Sequence, residues 1–170
     1  MRLRKLIEKD APPILDWMRD PAVNRHFRFD PEKVDLETVR RFIEGAQDTA
    51  ENLHLACVDG GDAYLGTVSL KEISAEHLHA EYAICFCQAA QGTGAARFAT
   101  IEILRIGFEE RGLERIFLNV LADNVRACRF YEKLGFHFDG EFKRHLRLRG
   151  EWKDLRWYSV LRGEAHACDA

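Results

Sequence analysis

Ala83-Ile84-Cys85-Phe86-Cys87-Gln88-Ala89-Ala90-Gln91-Gly92-Thr93-Gly94-Ala95-Ala96-Arg97 carries an apolar strand into a turn of small residues, and the turn opens directly into a helix. The spacing of Phe98, Ile101, Leu104 and Phe108 predicts that helix from about Gly94 to Arg111, with these four on its apolar face. The first turn of a helix carries N–H groups without helical partners. Gly92, Thr93, Gly94, Ala95 and Ala96 have little or no side chain to cover them. Such a place suits a phosphate or pyrophosphate, favoured by both the donors and the helix dipole. The nucleotide-triphosphatase loop is excluded, because Gly94 is followed by two alanines rather than Lys and Ser or Thr. The dinucleotide fingerprint is excluded as well, because Arg97 stands where a third glycine is needed. Taken alone, the turn fits equally a close strand-to-helix packing with no ligand.

A second segment decides between these readings. Asn124-Val125-Arg126-Ala127-Cys128-Arg129-Phe130-Tyr131-Glu132-Lys133-Leu134-Gly135-Phe136 reads as a short helix, a glycine stop and the start of a strand. Gln91-x-x-Gly94-x-Ala96 followed by Asn124-x-x-Ala127-x-x-x-Tyr131-x-Lys133-x-Gly135-Phe136 resembles the acetyl-CoA-binding signature of the GNAT superfamily of N-acetyltransferases. The two motifs, in this order with a strand between them, are far more specific than either alone. The resemblance runs from Arg2 to about Leu161. It is nearest to the branch of ribosomal-protein N-terminal, spermidine and nucleotide-linked amino-sugar acetyltransferases.

The pattern along the chain agrees with an α/β architecture in one domain, with a core over about 2–161 and a short C-terminal tail. Strands are predicted at 2–7, 52–58, 63–73, 78–87, 115–121, 136–148 and 151–161. Asp10 is placed to cap the first helix, which Arg19-Asp20-Pro21 breaks. A second helix at about 35–48 carries Leu36, Val39, Ile43 and Ala46 as its stripe. The resemblance implies more: a mixed, mainly antiparallel seven-stranded sheet with helices on both faces. Its central strands, 78–87 and 115–121, splay apart to admit the pantetheine arm.

Composition removes several classes of function. The 170 residues and 46% hydrophobic content allow a substantial core. A net charge of −3 argues against a protein built mainly to bind nucleic acid. No apolar run is long enough to span a membrane. Met1-Arg2-Leu3-Arg4-Lys5-Leu6-Ile7 is charged too early for a signal peptide, so the cytoplasm is the expected location. Cys57, Cys85, Cys87, Cys128 and Cys168 are odd in number and scattered, which predicts no disulfide framework. Cys85 and Cys87 share a strand face as small core residues, and nothing marks an activated thiol. His77 and His79 also share a face, but no carboxylate spacing makes them a metal pair, so no metal is expected.

Acetyl transfer from a thioester to an amine needs a held cosubstrate, a neutral amine, a stabilised oxyanion and a proton for the departing thiolate. The expected cosubstrate is acetyl-CoA. Its binding residues on this reading are Cys85 and Phe86 through their backbone, the turn Gln91, Gly92, Thr93, Gly94, Ala95 and Ala96, and Asn119 and Asn124. Backbone N–H groups at 85–86 face the developing oxyanion if the strand splays there. Tyr131 is the candidate general acid, because a phenol with a pKa of about 10 keeps its proton at neutral pH. The competing reading is an aromatic packed between helix and sheet. Glu81, just before the apolar run Tyr82–Phe86, is the candidate base, directly or through water; a solvated strand-end carboxylate is the alternative. Glu72 and His79 stand in reserve. Asn124 caps its helix, holds the pantetheine as the resemblance implies, or does both. Asn119, in an apolar strand, needs a hydrogen-bond partner if buried.

The expected activity is therefore N-acetylation of a primary amine by direct attack, the acceptor being a small molecule, an amino sugar, a polyamine or a protein N-terminus. A noncatalytic acyl-CoA-binding or sensing domain is the rival, and a homodimer is left open. The acceptor is expected to meet Trp17, Asn24, Arg25, His26, Phe27, Arg28 and Phe29, a segment whose aromatic and basic character suits an anionic or sugar-nucleotide acceptor somewhat better than a polyamine, although the acids Asp30, Glu32, Asp35 and Glu37 close by weigh against it. The basic run Lys143, Arg144, His145, Arg147, Arg149, Lys153 and Arg156 alternates with Leu146 and Leu148, as solvated strand faces do. Its functional alternative is contact with a nucleotide phosphate.

Overall fold

β2 (Leu53–Val58) shows how the sheet is buried on both sides. Leu53, Leu55 and Cys57 enter one apolar cluster, while Ala56 and Val58 enter a second. Alternation with period two sends successive side chains to opposite faces, so a strand apolar at both parities needs cover on both. The computed structural model describes residues 1–28, 30–46 and 48–164, so Phe29 and Cys168 lie outside the described residues.

The other strands are β1 (Arg2–Lys5), β3 (Tyr64–Ser74), β4 (His79–Phe86), β5 (Arg115–Leu121), β6 (His137–Leu148) and β7 (Glu151–Leu161). They form one seven-stranded sheet in the order β1-β2-β3-β4-β5-β7-β6. All neighbours are antiparallel except β4 and β5. One face packs on α1 (Ala11–Arg19) and α3 (Leu36–Gly45), through Ile14, Trp17, Val39 and Ile43. The other packs on α4 (Ala95–Arg105) and α5 (Val125–Lys133), through Ala95, Ala99, Ile103 and Cys128. The expected mixed sheet with helices on both faces is thus observed.

Three local expectations need correction. Asp10 does not cap α1: its carboxylate turns back to accept from the Ile7 N–H at 2.9 Å and from both Arg4 Nη atoms at 2.7 and 2.8 Å. Asp10 is 1% exposed, and burying a carboxylate this deeply requires a paired cation. The chain break at Arg19-Asp20-Pro21 is followed by a further short helix, α2 (Pro21–Asn24), because Asp20 accepts from the Ala22 N–H at 2.8 Å and Pro21 takes the first helical position.

The buried stripe of α4 is also rotated from the expected one. Leu104 and Phe108 are buried as expected, but Ala95, Ala99 and Ile103 join them, while Phe98 and Ile101 are only half-buried. Small residues let the helix approach the sheet closely, and a bulky-residue count misses such a face. The helix then widens through Ile106–Glu110, where the Arg111 N–H reaches back to the Ile106 carbonyl at 2.9 Å. Gly107 sits in that turn against β5, and a Cβ there would stand 2.6 Å from Ile116 Cδ1.

Candidate active site

β4 and β5 pair in parallel over only three residues, His79 with Arg115, Ala80 with Ile116, and Glu81 with Phe117. Beyond Glu81 the strands part, leaving one backbone edge of β4 from Tyr82 to Phe86 without a strand neighbour. The splay expected between these strands is present. A cleft of about 340 Å³ fills the gap.

Seven of the catalytic and cosubstrate-binding candidates line that cleft: Cys85, Phe86, Gln91, Ala96, Asn119, Asn124 and Tyr131; Arg25, His26, Phe27 and Arg28 of the acceptor segment line it too. Ala96 brings the first turn of α4 to its wall with only a methyl group in the way. Gly92, Thr93, Gly94 and Ala95 form the adjoining turn rather than the wall. Gly94, the residue before α4, has φ 83°, a left-handed conformation that favours glycine, and a Cβ there would meet nothing within 4 Å. Thr93 ties the turn, donating to the Ala90 carbonyl at 2.7 Å and accepting from the Ala95 N–H at 3.3 Å. Gln91 Oε1 accepts from Arg126 at 2.6 Å, linking the turn to α5. Asn124 caps α5 by accepting from the Ala127 N–H at 3.3 Å. An open edge strand, a helix N-terminus and a small-residue turn on one cleft fit a pantetheine arm ending in a pyrophosphate.

The cleft passes through the sheet, so its two mouths differ. On the α5 side Tyr131 rests among Phe130, Phe136, Tyr82 and Tyr158, with ring centroids 5.6–6.4 Å apart. Its hydroxyl has no hydrogen-bond partner among the described residues. Burial pushes the phenol well above its ordinary pKa, with Cys128 and Cys85 adding to the shift, so it holds its proton at neutral pH. Packing and an available hydroxyl therefore coexist at Tyr131.

On the opposite face Glu81, Phe117 and Asn119 project together, as the register requires. Glu81 does not line the cleft; it stands at the point where the strands part. Its Oε1 accepts from Asn119 Nδ2 at 3.1 Å, and its Oε2 lies 3.3 Å from Lys71 Nζ. Arg28 donates from its guanidinium to Asn119 Oδ1. The result is a line of polar groups, Arg28, Asn119, Glu81 and Lys71, crossing the mouth of the cleft. Burial lowers Arg28 from its ordinary pKa, and Glu81 opposes that shift. Asn119 thus has protein partners for both ends of its amide.

The reserve candidates Glu72 and His79 do not line the cleft. His79 packs edge-on against Phe117, with centroids 5.5 Å apart. Sequence reasoning placed His26 in the acceptor segment without giving it a role, and the structure puts it on the cleft wall. Burial, and then Arg25, lower its pKa, so its imidazole is neutral near pH 7. Much of the basic run is a solvated, paired surface: Arg156 bonds Glu141 at 2.7 Å and Lys153 lies 2.9 Å from Asp123. Cys57, Cys85, Cys87 and Cys128 are free thiols. Among the described residues no three metal-capable side chains converge, and no helix is long and apolar enough to cross a membrane.

Residues 1–137 match the family model described as an acetyltransferase (GNAT) domain. The chain belongs to the GNAT acetyltransferase family. The spermidine N(1)-acetyltransferase of Escherichia coli (strain K12) is 27% identical over 154 residues, covering 91% of this chain and 82% of that protein. The L-amino acid N-acetyltransferase AaaT of the same strain is 27% identical over 108 residues, covering 64% and 67%. In shape, the chain superposes on the spermidine N-acetyltransferase of Vibrio cholerae solved with CoA and spermine. The TM-score is 0.86 at 24% identity, over 96% of each chain. As a GNAT enzyme, the protein is an acyltransferase that uses acetyl-CoA as cosubstrate to acetylate an amine.

Proposed function

We propose that the amine enters the cleft from the Arg28 face, while acetyl-CoA enters along β4 from the α4–α5 side, and that the two meet where β4 and β5 part. The supporting observation is the cleft itself: residues from both faces of the sheet line it, with Tyr131 on one side and Asn119, which holds the adjacent Glu81, on the other.

The turn Gln91–Ala96 holds the pyrophosphate, and the open edge of β4 holds the pantetheine. Phe86 and Cys85 offer backbone to the thioester carbonyl. The neutral amine attacks the carbonyl carbon, a C–N bond forms and the C–S bond breaks. Tyr131 gives its phenolic proton to the departing sulfur. The proton lost by the ammonium passes through water to Glu81, whose carboxylate Asn119 and Lys71 hold in place. Positioning supplies much of the rate, because the reacting groups are gathered in one narrow gap. The relatives include enzymes named for spermidine and for L-amino acids, so the acceptor class varies across this fold.

An acceptor screen with acetyl-CoA, reading released thiol, tests the reading. Turnover on a primary amine is expected, with loss in Tyr131→Phe. Tight CoA binding with no turnover on any amine favours a sensing domain instead.

A further inference from the structure

Beside the cleft, on the same face of the sheet as Glu81, lies a larger cavity of about 920 Å³ between the α1–α2 region and the β6–β7 turn. Four arginines from three segments line it: Arg19, Arg28, Arg147 and Arg149. Arg28 lines both this cavity and the reaction cleft, so the two adjoin at its side chain.

None of the four arginines forms an ion pair among the described residues. Arg19 donates to the Val34 carbonyl at 2.8 Å, Arg147 to the Gly150 carbonyl at 3.0 Å, and Arg149 to the Asn24 carbonyl at 3.4 Å. Neighbours on the same two strands behave differently, since Lys143, Lys153 and Arg156 all hold carboxylates. The cavity also has two carboxylates, Asp30 and Glu32. Asp30 is engaged, accepting from the Glu32 N–H at 3.1 Å and lying 3.5 Å from Lys33. Two carboxylates against four guanidinium groups leave an excess of positive charge.

We infer that the acceptor is an amine that also carries a phosphate group, the amine at the Glu81 mouth of the cleft and the phosphate in the arginine-lined cavity. This rests on the acetyl-transfer reading of the cleft. Guanidinium groups match phosphate oxygens in paired hydrogen bonds, and all four stand exposed to an entering ligand. A linear polycation there would set ammonium groups beside four guanidinium groups that have no carboxylate partner among the described residues. Arg28 links the two subsites: one end of its reach is Asn119, the other is the cavity.

Two measurements test this. The first uses protein saturated with CoA, so that the Gln91–Ala96 turn is filled, and titrates inorganic pyrophosphate by calorimetry. Binding is expected, weakened about tenfold or more in Arg147→Gln/Arg149→Gln. Arg19→Gln, on a different element, is expected to weaken it in the same direction, which separates loss of charge from a loosened β6–β7 turn. Absence of binding to the CoA-loaded parent, or equal binding in all variants, overturns the inference. The second compares glucosamine 6-phosphate, glucosamine, glutamate and spermidine as acceptors. A preference of tenfold or more in kcat/KM for the phosphorylated amine is expected, collapsing towards one in the double variant. Preference for glutamate, or for spermidine, overturns the phosphate assignment while leaving the acetyltransferase reading intact. Failure of every acceptor alongside sound pyrophosphate binding counts against the acetyl-transfer reading and not against the anion subsite.

Discussion

Asn119 Nδ2 donates to Glu81 Oε1 at 3.1 Å across the point where β4 and β5 cease to pair. The bond joins two strands that share no further ladder contacts, and Arg28 engages the other end of the same amide. A carboxylate so held keeps one oxygen edge fixed while the cleft opens beside it. The position of Glu81 is therefore set by the splay, and its chemistry is open to test.

Tyr131→Phe removes one hydroxyl and leaves the ring among Phe130, Phe136, Tyr82 and Tyr158. The hydroxyl has no partner among the described residues, so folding stability should change little. Turnover should fall by roughly tenfold or more with CoA affinity kept. Steady-state kinetics beside CoA calorimetry separate the two effects. Unchanged kcat would return Tyr131 to a packing role.

Gly94→Glu tests the turn. At φ 83° a side chain costs about 1–2 kcal/mol of backbone strain. A bulky anion also fills the open space where the pyrophosphate is placed. Gly94→Ala carries the strain alone and should weaken CoA modestly; Gly94→Glu should weaken it by tenfold or more. Equal CoA affinity in a folded Gly94→Glu protein would move the pyrophosphate elsewhere.

These residues were readable in the chain because their signals are local. Small residues between an apolar strand and a helix identify the turn, and Asn124 three residues before Ala127 identifies a capped helix. The strands were readable as short apolar runs between turn signals, and their assembly into one seven-stranded sheet came from the resemblance. What escaped was set by distant contacts. Arg28 meets Asn119 across 91 residues of chain, and no local pattern carries that pairing. The stripe of α4 was misread because its close approach is made with alanines and Gly107, whose contribution to packing is the absence of bulk. Asp10 had the spacing of a cap, yet Arg4 and the Ile7 N–H claimed its oxygens. The four cavity arginines were visible individually; their convergence was not.

Cys85 lines the cleft, and its thiol is the obvious rival route for an acyl group. Burial pushes its pKa up to about 12, partly offset by a backbone hydrogen bond at Phe86. A thiol is nucleophilic as thiolate, and almost none forms at neutral pH. Cys85→Ala should keep turnover within about threefold of the parent. Loss of tenfold or more, or an acetylated Cys85 trapped by mass spectrometry, would establish a covalent route.

His54 gives the fold a pH dependence of known sign. Its Nδ1 lies 2.8 Å from Ser69 Oγ, and burial, with Lys71 nearby, lowers its pKa below the ordinary 6.5. Below 6.5 the unfolded chain therefore binds more protons at this site than the folded one. Stability should fall as pH drops below about 6.5, until the folded pKa is passed. Denaturation midpoints at pH 7.5 and 5.5 should differ less in His54→Gln than in the parent. An equal or larger drop in the variant would assign the effect to other groups, such as His26.

Glu81→Gln keeps the shape of the side chain and removes its ability to take a proton. If the carboxylate receives the amine proton through water, turnover should fall most at neutral pH, where the acceptor is protonated. It should recover in part as pH rises towards the amine pKa, because a deprotonated amine no longer needs a base. The Asn119 bond complicates a simple loss: a glutamine can still accept from Nδ2 through its amide oxygen, so positioning survives while basicity does not. That makes the shape of the pH–rate profile more telling than a single rate. His26 is the other group on the wall able to accept a proton near neutrality. His26→Gln beside Glu81→Gln assigns the role to whichever variant shows recovery at high pH. Parallel profiles in both variants and the parent would leave bulk water as the base, and would reduce Glu81 to the anchor that holds Asn119 and, through it, Arg28.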